Sequence, residues 1–283
     1  MRIEDLESRI SNIPTLPIVA DEINRASRQD DFTAKSLAKI IEKDPPLTGK
    51  MLKLSNSAYY GFLRKVTTLD RAATLLGFHT VRNLALSVSI STFFSSDHDN
   101  IDMQGLWHHS LGCAVAAKIL LHGKNPKLEE EAFLCGVIHD IGAIILINSF
   151  PDKMREALRV MREKNIPQSA AEKEVIGVTH QEVGAYLADK WNFPEKYSRI
   201  IRLHHKPPVS TMDPADMDNV LLLAVYAGNQ LAKITGLGKS LDPKMSGVMP
   251  DAWKILGVSL GEIAELRSAI KTSFTALVRS WEE

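Results

Sequence analysis

Apolar residues recur along this chain at helical spacing. Thr33 reads as an N-cap, and Leu37, Ile40 and Ile41 follow at i, i+3, i+4. Asp44-Pro45-Pro46 ends that segment, because a residue before proline is pushed out of the right-handed helical region. The same prolines fit the first turn of a next helix, which carries Leu47, Met51, Leu52 and Leu54. The pattern predicts two more helices over Thr68–Leu76 and Val81–Phe94, joined at Gly77-Phe-His-Thr80. A polar break follows at 95–103, Ser-Ser-Asp-His-Asp-Asn-Ile-Asp-Met. Beyond it, helices are expected over Met103–His122, Leu128–Asn148, Pro151–Lys164, Ser169–Val175, Gln181–Trp191, Pro194–His205, Asp218–Thr235 and Leu260–Val278. Gly236–Asp251 reads as a loop. No stretch alternates apolar and polar residues for the length of a strand, and no fixed-period repeat occurs. The expected fold class is all-α, with an N-terminal helical lobe over 1–96 and a second helical lobe over 97–283.

Composition narrows the partners. Of the 283 residues, 45% are hydrophobic and 24% charged, the mixture of a chain that buries a sizeable core. Lys plus Arg and Asp plus Glu both number 34, so the formal charge is zero. That balance argues against a general nucleic-acid binder, which carries a basic footprint, and gives no bulk attraction to an anionic membrane surface. The opening Met1-Arg-Ile-Glu-Asp-Leu-Glu7 lacks an apolar signal core. Phe133 to Ile147 is the most apolar run, but His139-Asp140 interrupts it and it falls short of the ~20 residues of a spanning helix. The two cysteines, Cys113 and Cys135, sit in apolar helical settings and read as buried small hydrophobes. Their number rules out a disulfide scaffold and a thiolate zinc cluster. The expectation is a cytoplasmic protein with no membrane or nucleic-acid partner.

Nine histidines are the unusual feature. His139-Asp140 is flanked by Cys135-Gly-Val-Ile138 and Ile141-Gly-Ala-Ile144, and burying either group unpaired costs several kcal/mol. A divalent metal would make both of them ligands and offset the carboxylate's desolvation; core hydrogen bonds are the alternative. His108-His109, His180 and His204-His205 also adjoin strongly apolar helices, where imidazole is a poor filler. Nitrogen and carboxylate donors suit Fe, Mn, Zn or Co. The remaining histidines, His79, His98 and His122, read as solvent-facing, and His108 as a helix-surface group. Tyr59-Tyr60 and Trp191 read as core, and Arg82 as a packing residue. No phosphate-cradling glycine loop, dinucleotide fingerprint or nucleophile elbow is present.

The ordered set Trp107-x-His109-Ser110, His139-Asp140-Ile141-Gly142, His180 with Gly184-Ala185, and His204-His205 resembles the HD superfamily of metal-dependent phosphohydrolases. Ile13-Pro-Thr-Leu-Pro17, Ile41-Glu-Lys-Asp-Pro45-x-Leu47, Leu54-Ser-Asn-Ser-Ala-Tyr-Tyr-Gly61 and Ala72-x-x-x-Leu76-Gly77 narrow the resemblance to the HDOD subfamily. Together these motifs span roughly residues 10–235. The resemblance implies an HD-type helical domain preceded by a helical lobe, and a role in bacterial signal transduction. It implies that His109, His139 and Asp140 are metal ligands. His180, His204 and His205 match the histidines with which the related HD-GYP branch holds a second ion. Asn229 falls where HD enzymes place a closing aspartate. The implied cofactor is one or two divalent ions, Fe or Mn ahead of Zn, Ni, Co or Mg.

Two departures bear on catalysis. Active HD-GYP relatives carry a lysine directly after His-Asp-x-Gly, where this chain has Ala143. They continue differently after the paired histidines, where this chain has Lys206-Pro207-Pro208. Lys206 is the candidate phosphate-contacting cation; a solvated helix-end lysine is the other reading of it. The expectation is a regulatory HDOD protein with an HD-type metal site, weakly active or non-catalytic, working through a signalling protein partner or a small phosphorylated ligand. The alternative is a metal-dependent phosphohydrolase or phosphodiesterase acting on a nucleotide or other phosphoester. In that case Asp140 would orient the attacking water while ligating.

Overall fold

The computed structural model describes residues 14–29, 31–62, 64–98 and 101–282; the charged N-terminal stretch and Ile13 lie outside them. The fold is all-α. The N-terminal helices are α1 (Ile18–Ala26), α2 (Ala34–Ile41), α3 (Pro45–Ser55), α4 (Leu69–Leu76) and α5 (Phe78–Ser91). Their ends follow local chemistry. Thr33 accepts from the Ser36 N–H, and Asp44 accepts from the Leu47 N–H with Pro45 opening α3. After 3-10 turn Thr92–Phe94 come α6 (Met103–Leu120), α7 (Pro126–Ile138), α8 (Ile141–Ser149), α9 (Pro151–Lys164) and α10 (Gln168–Val175). The chain continues through α11 (His180–Lys190), α12 (Glu195–Leu203), α13 (Met217–Thr235), α14 (Pro250–Leu256) and α15 (Ile263–Glu282). Among the described residues the sole β feature is an isolated bridge between His98 and Ile101.

Helix α6 is the axis of the second half. Its apolar residues are buried all round, from Leu111 through Ala117. It carries no wide polar stripe because α7, α13 and α15 all pack against it. Small residues let the backbones meet. A Cβ on Gly136 would stand 2.4 Å from Ala114 Cα, and one on Gly228 would stand 2.9 Å from the Ala117 nitrogen. A Cβ on Gly142 would stand 2.0 Å from the His180 carbonyl oxygen, so α8 crosses the start of α11 at a distance only glycine permits. Asn83 Nδ2 donates to the Glu130 carbonyl and Asn24 Nδ2 to that of Trp191, tying the N-terminal helices to the rest. Trp191 also stacks on Phe93, at 5.6 Å between ring centroids.

The structure corrects the expected boundaries in three places. The helix expected over Leu128–Asn148 is two helices broken at His139-Asp140. There the His139 ring Nδ1–H donates to the Gly136 carbonyl at 2.7 Å, in place of the backbone N–H of a continuing helix. Helix α14, with buried Trp253, begins inside the segment expected to be a loop. Helix α5 starts at Phe78, so only Gly77 separates it from α4, at a positive φ of 88° that favours glycine. Residues Pro126–Ser149 taken together are apolar and long enough to cross a membrane, and 83% of an 18-residue window within them is buried inside the fold. Cys113 and Cys135 are free and buried.

Candidate metal centre

Five helix ends or faces converge on Asp140. His109 comes from the middle of α6, His139 and Asp140 from the α7–α8 break, and His180 from the first turn of α11. His204 and His205 follow α12 directly. Thr179 caps α11 in a reciprocal capping box with Glu182, which fixes where that helix begins and so where His180 stands. Gly136, Gly142 and Gly184 make or border the tight crossings, each within four residues of a converging side chain.

The ligand atoms of Asp140, His180, His204 and His205 lie within 4.8 Å of one another, and so do those of His109, His139 and Asp140. Asp140 belongs to both groups. Its Oδ1 is 3.2 Å from His204 Nε2 and 3.7 Å from His180 Nε2, and its Oδ2 is 3.2 Å from His139 Nε2. His180 Nε2 faces His205 Nε2 at 3.0 Å, and His109 Nε2 faces Asn229 Oδ1 at 3.1 Å. The structure therefore brings six of the sequence candidates and Asn229 into one cluster. The eighth side chain named from sequence, Lys206, stands exposed on the turn after His205.

His139 and His204 are oriented by the same device. Each donates its Nδ1–H to the carbonyl three residues earlier, Gly136 at 2.7 Å and Ile201 at 2.8 Å. A carbonyl only accepts, so Nδ1 carries the proton and a neutral ring leaves Nε2 as a lone pair. Both Nε2 atoms are buried without a hydrogen-bond partner and both face Asp140. A lone pair against a carboxylate oxygen needs a proton or a cation between them. That geometry fits a divalent cation.

Charge in the cluster follows the same pattern. Burial works against charge on His139, but Asp140 outweighs it and raises the imidazole well above its ordinary value. Burial would raise Asp140, yet His139 and the hydrogen bonds around it hold the carboxyl well below the usual range. The pair thus retains one proton where a metal ion would bring its own charge. Burial pulls His109 down to about 3 and His204 to about 4, so both imidazoles are neutral. His205 is also pushed well below its ordinary value, by burial and then by His204 and His180.

Two residues here were not found from sequence. Glu172 on α10 is fully buried; its Oε2 accepts both the backbone N–H and the ring Nδ1–H of His180, at 2.8 and 2.7 Å. That bond fixes the tautomer and presents Nε2 to the cluster. Within Glu172-Lys-Glu174 the residue reads as part of a solvated face, and only its buried position separates it from its neighbours. Lys233 lies one helical turn beyond Asn229 on α13 and is half-buried; its charge helps depress both His109 and His205. The other histidines divide. His122 is exposed, as expected. His98 is half-buried against Asn148 Oδ1 at 2.8 Å and His79 half-buried beside Phe78, both contrary to expectation. His108 pairs with Glu282 at 2.9 Å.

An all-helical protein that closes several histidines on one His-Asp pair has the architecture of the HD type. The HDOD domain profile matches residues 13–207, and the chain belongs to the HDOD family. An HDOD domain protein of unknown function from Geobacter sulfurreducens superposes with a TM-score of 0.78 at 23% identity, over 98% of this chain and 99% of that one. A protein described as a candidate phosphohydrolase, from Shewanella amazonensis SB2B, gives 0.73 at 23% identity, over 98% and 97%. An uncharacterized protein of Treponema pallidum (strain Nichols) is 29% identical over 222 residues, 75% of this chain. The match covers 43% of that relative's length.

Proposed function

We propose that this chain is an HDOD regulatory module built around one divalent ion, held by the cluster on Asp140, with an organising rather than a turnover role. The observation that carries this reading is charge. Asp140 is the one carboxylate among the converging side chains, and Glu172 stands behind His180. These two negative charges balance a single divalent ion. A second ion would leave two uncompensated positive charges in a buried setting, at a cost of several kcal/mol. An Asp at position 229 would have shared that load; the Asn229 amide brings an oxygen but no charge. The donor set of imidazole nitrogens and one carboxylate suits Fe or Mn, with Zn, Ni, Co and Mg as further candidates.

When bound, such an ion would polarise an anionic oxygen and lower the pKa of a ligated water. The chain's own groups orient the site. Glu172 fixes His180, the Gly136 and Ile201 carbonyls fix His139 and His204, and the partly exposed Asp140 side chain (20%) marks where a ligand enters. Ala143, where active HD-GYP relatives carry a lysine, is buried and brings no charge to a phosphate. The module then acts through a signalling protein partner or a small phosphorylated ligand held without hydrolysis.

A phosphohydrolase reading has one observation in its favour: Lys233 places a cation beside the His109 and His205 ends of the cluster, where a phosphate could meet it. Asp140 would then be the catalytic carboxylate. Elemental analysis of the purified chain, followed by a phosphodiester assay with Mn²⁺ or Fe²⁺ across a nucleotide panel, separates the two. Bound metal without turnover is expected. Metal-dependent turnover that disappears in His139→Ala would establish the hydrolase instead.

A further inference from the structure

The Leu54-Ser-Asn-Ser-Ala-Tyr-Tyr-Gly61 motif has no part in the metal cluster. Its loop forms one wall of a groove whose other wall is α15. Two adjoining cavities of about 540 and 670 Å³ occupy the groove and share Asn56, Ser57 and Ser280. That is the size range of small-molecule sites.

The floor is rigid. Asn56 Nδ2 donates to the Leu52 and Val66 carbonyls at 2.6 and 2.8 Å, while Asn56 Oδ1 accepts the Val66 N–H at 2.7 Å. Ser57 lines both cavities, is 5% exposed, and has a buried hydroxyl without a hydrogen-bond partner. A buried donor left unmatched calls for an acceptor.

The charge is one-sided. Lys53 and Lys65 line one cavity, Lys271 and Arg279 the other, and none of the described lining residues is Asp or Glu. Lys43, Lys118, Lys173 and Lys196 are paired, with Glu22, Glu130, Glu182 and Glu131. Lys53, Lys65 and Lys271 have no ion pair among the described residues. Crowding also reaches the next turn of α3, where burial and then the charge of Lys53 hold Lys50 below its ordinary value. A chain with zero formal charge has thus gathered cations in one concave place, which concentrates field lines and favours an anion.

We propose that this groove is a second binding site, separate from the metal cluster, for a small organic anion of nucleotide size that carries several phosphate groups. Lys53, Lys65 and Lys271 contact the phosphates, and the Ser57 hydroxyl donates to one of their oxygens. The two walls come from positions more than two hundred residues apart, so the ligand bridges α15 to the N-terminal helices. The inference stands whether or not the cluster on Asp140 holds a metal ion.

Isothermal titration calorimetry of the full chain, treated with chelator to remove metal, tests this with ATP and with inorganic tripolyphosphate. Both are expected to bind saturably in the micromolar range. The double variant Lys53→Glu, Lys271→Glu, shown by circular dichroism to be folded, should bind each at least tenfold more weakly. No heat at millimolar ATP, or an unchanged affinity in the folded double variant, would overturn the proposal. Binding seen only in metal-loaded protein would also overturn it, because the anion would then sit on the cluster. Binding and its loss in the double variant are read in metal-free protein without turnover, so failure here is distinct from failure of the proposed function.

Discussion

The cluster on Asp140 has two halves built from similar side chains with unequal support. On one side His180, His204 and His205 face the carboxylate, and Glu172 supports His180 from behind through a 2.7 Å hydrogen bond. On the other side His109 and His139 face it, and the supporting group is the Asn229 amide at 3.1 Å. The halves differ by one imidazole, three against two, and by charge: the first half has a carboxylate behind its histidine, and the second has only a dipole. A buried cation is stabilised by the former far more than by the latter, so the proposed ion would sit on the Glu172 side.

Asp140→Asn removes the residue common to both halves and should produce the largest effect. Metal affinity is expected to fall by roughly 100-fold or more, since the cation then meets only neutral first ligands. Retention of affinity in this variant, measured by competition with a chromogenic chelator, would show that the cluster does not centre on Asp140. The comparison itself is broken by a pair of variants. Glu172→Gln keeps the shape but removes the charge behind His180, and should weaken binding by about 10–100-fold. Asn229→Ala should cost less than about tenfold. The reverse ranking would move the ion to the His109 side.

The scaffold beneath both halves is tested by Gly142→Ala. Its methyl would press on the His180 carbonyl, 2.0 Å from the ideal position, and both partners there are backbone. A loss of about 2–3 kcal/mol is expected in chemical denaturation, with weaker metal binding because Asp140 and His180 are pushed apart. A variant as stable as the parent would mean that the crossing does not set the site.

Acid sensitivity of the metal-free protein probes the same cluster without a substitution. His109 and His204 are held neutral at about 3 and about 4, mainly by burial, whereas in the unfolded chain each protonates near 6.5. Below that value the unfolded chain binds more protons. Stability of the metal-free protein is therefore whole above pH 6.5 and declines as pH falls toward 4, by about 1 kcal/mol per pH unit for each group. His139, whose pKa is raised, contributes in the opposite sense: its share is full below 6.5 and lost as pH rises through its higher folded value. Denaturation midpoints in chelator at pH 7, 6 and 5 check this; a flat profile contradicts it.

Much of this was legible in the sequence, for particular reasons. Thr33, Asp44 and the prolines mark helix ends through local geometry, and the caps are where they were expected. His109, His139, His180, His204 and His205 stood out because imidazole is out of place in apolar helices. The break after Ile138 did not, because its cause is a ring nitrogen that replaces a backbone donor, which leaves the apolar pattern intact. Glu172 was hidden among solvated-looking neighbours, since spacing cannot tell which of Glu172 and Glu174 turns inward. The cationic groove was invisible for a third reason. Lys53 and Lys271 are distant in the chain, and zero net charge averages away a local excess that only the fold assembles.

Under the proposed function the cluster carries charge for one ion. Native mass spectrometry of the chain reconstituted with excess Mn²⁺, compared with Asn229→Asp under the same conditions, addresses it directly. One ion per chain is expected for the parent, and two for Asn229→Asp, where the restored carboxylate compensates a second ion. Two ions in the parent, or none, would contradict it.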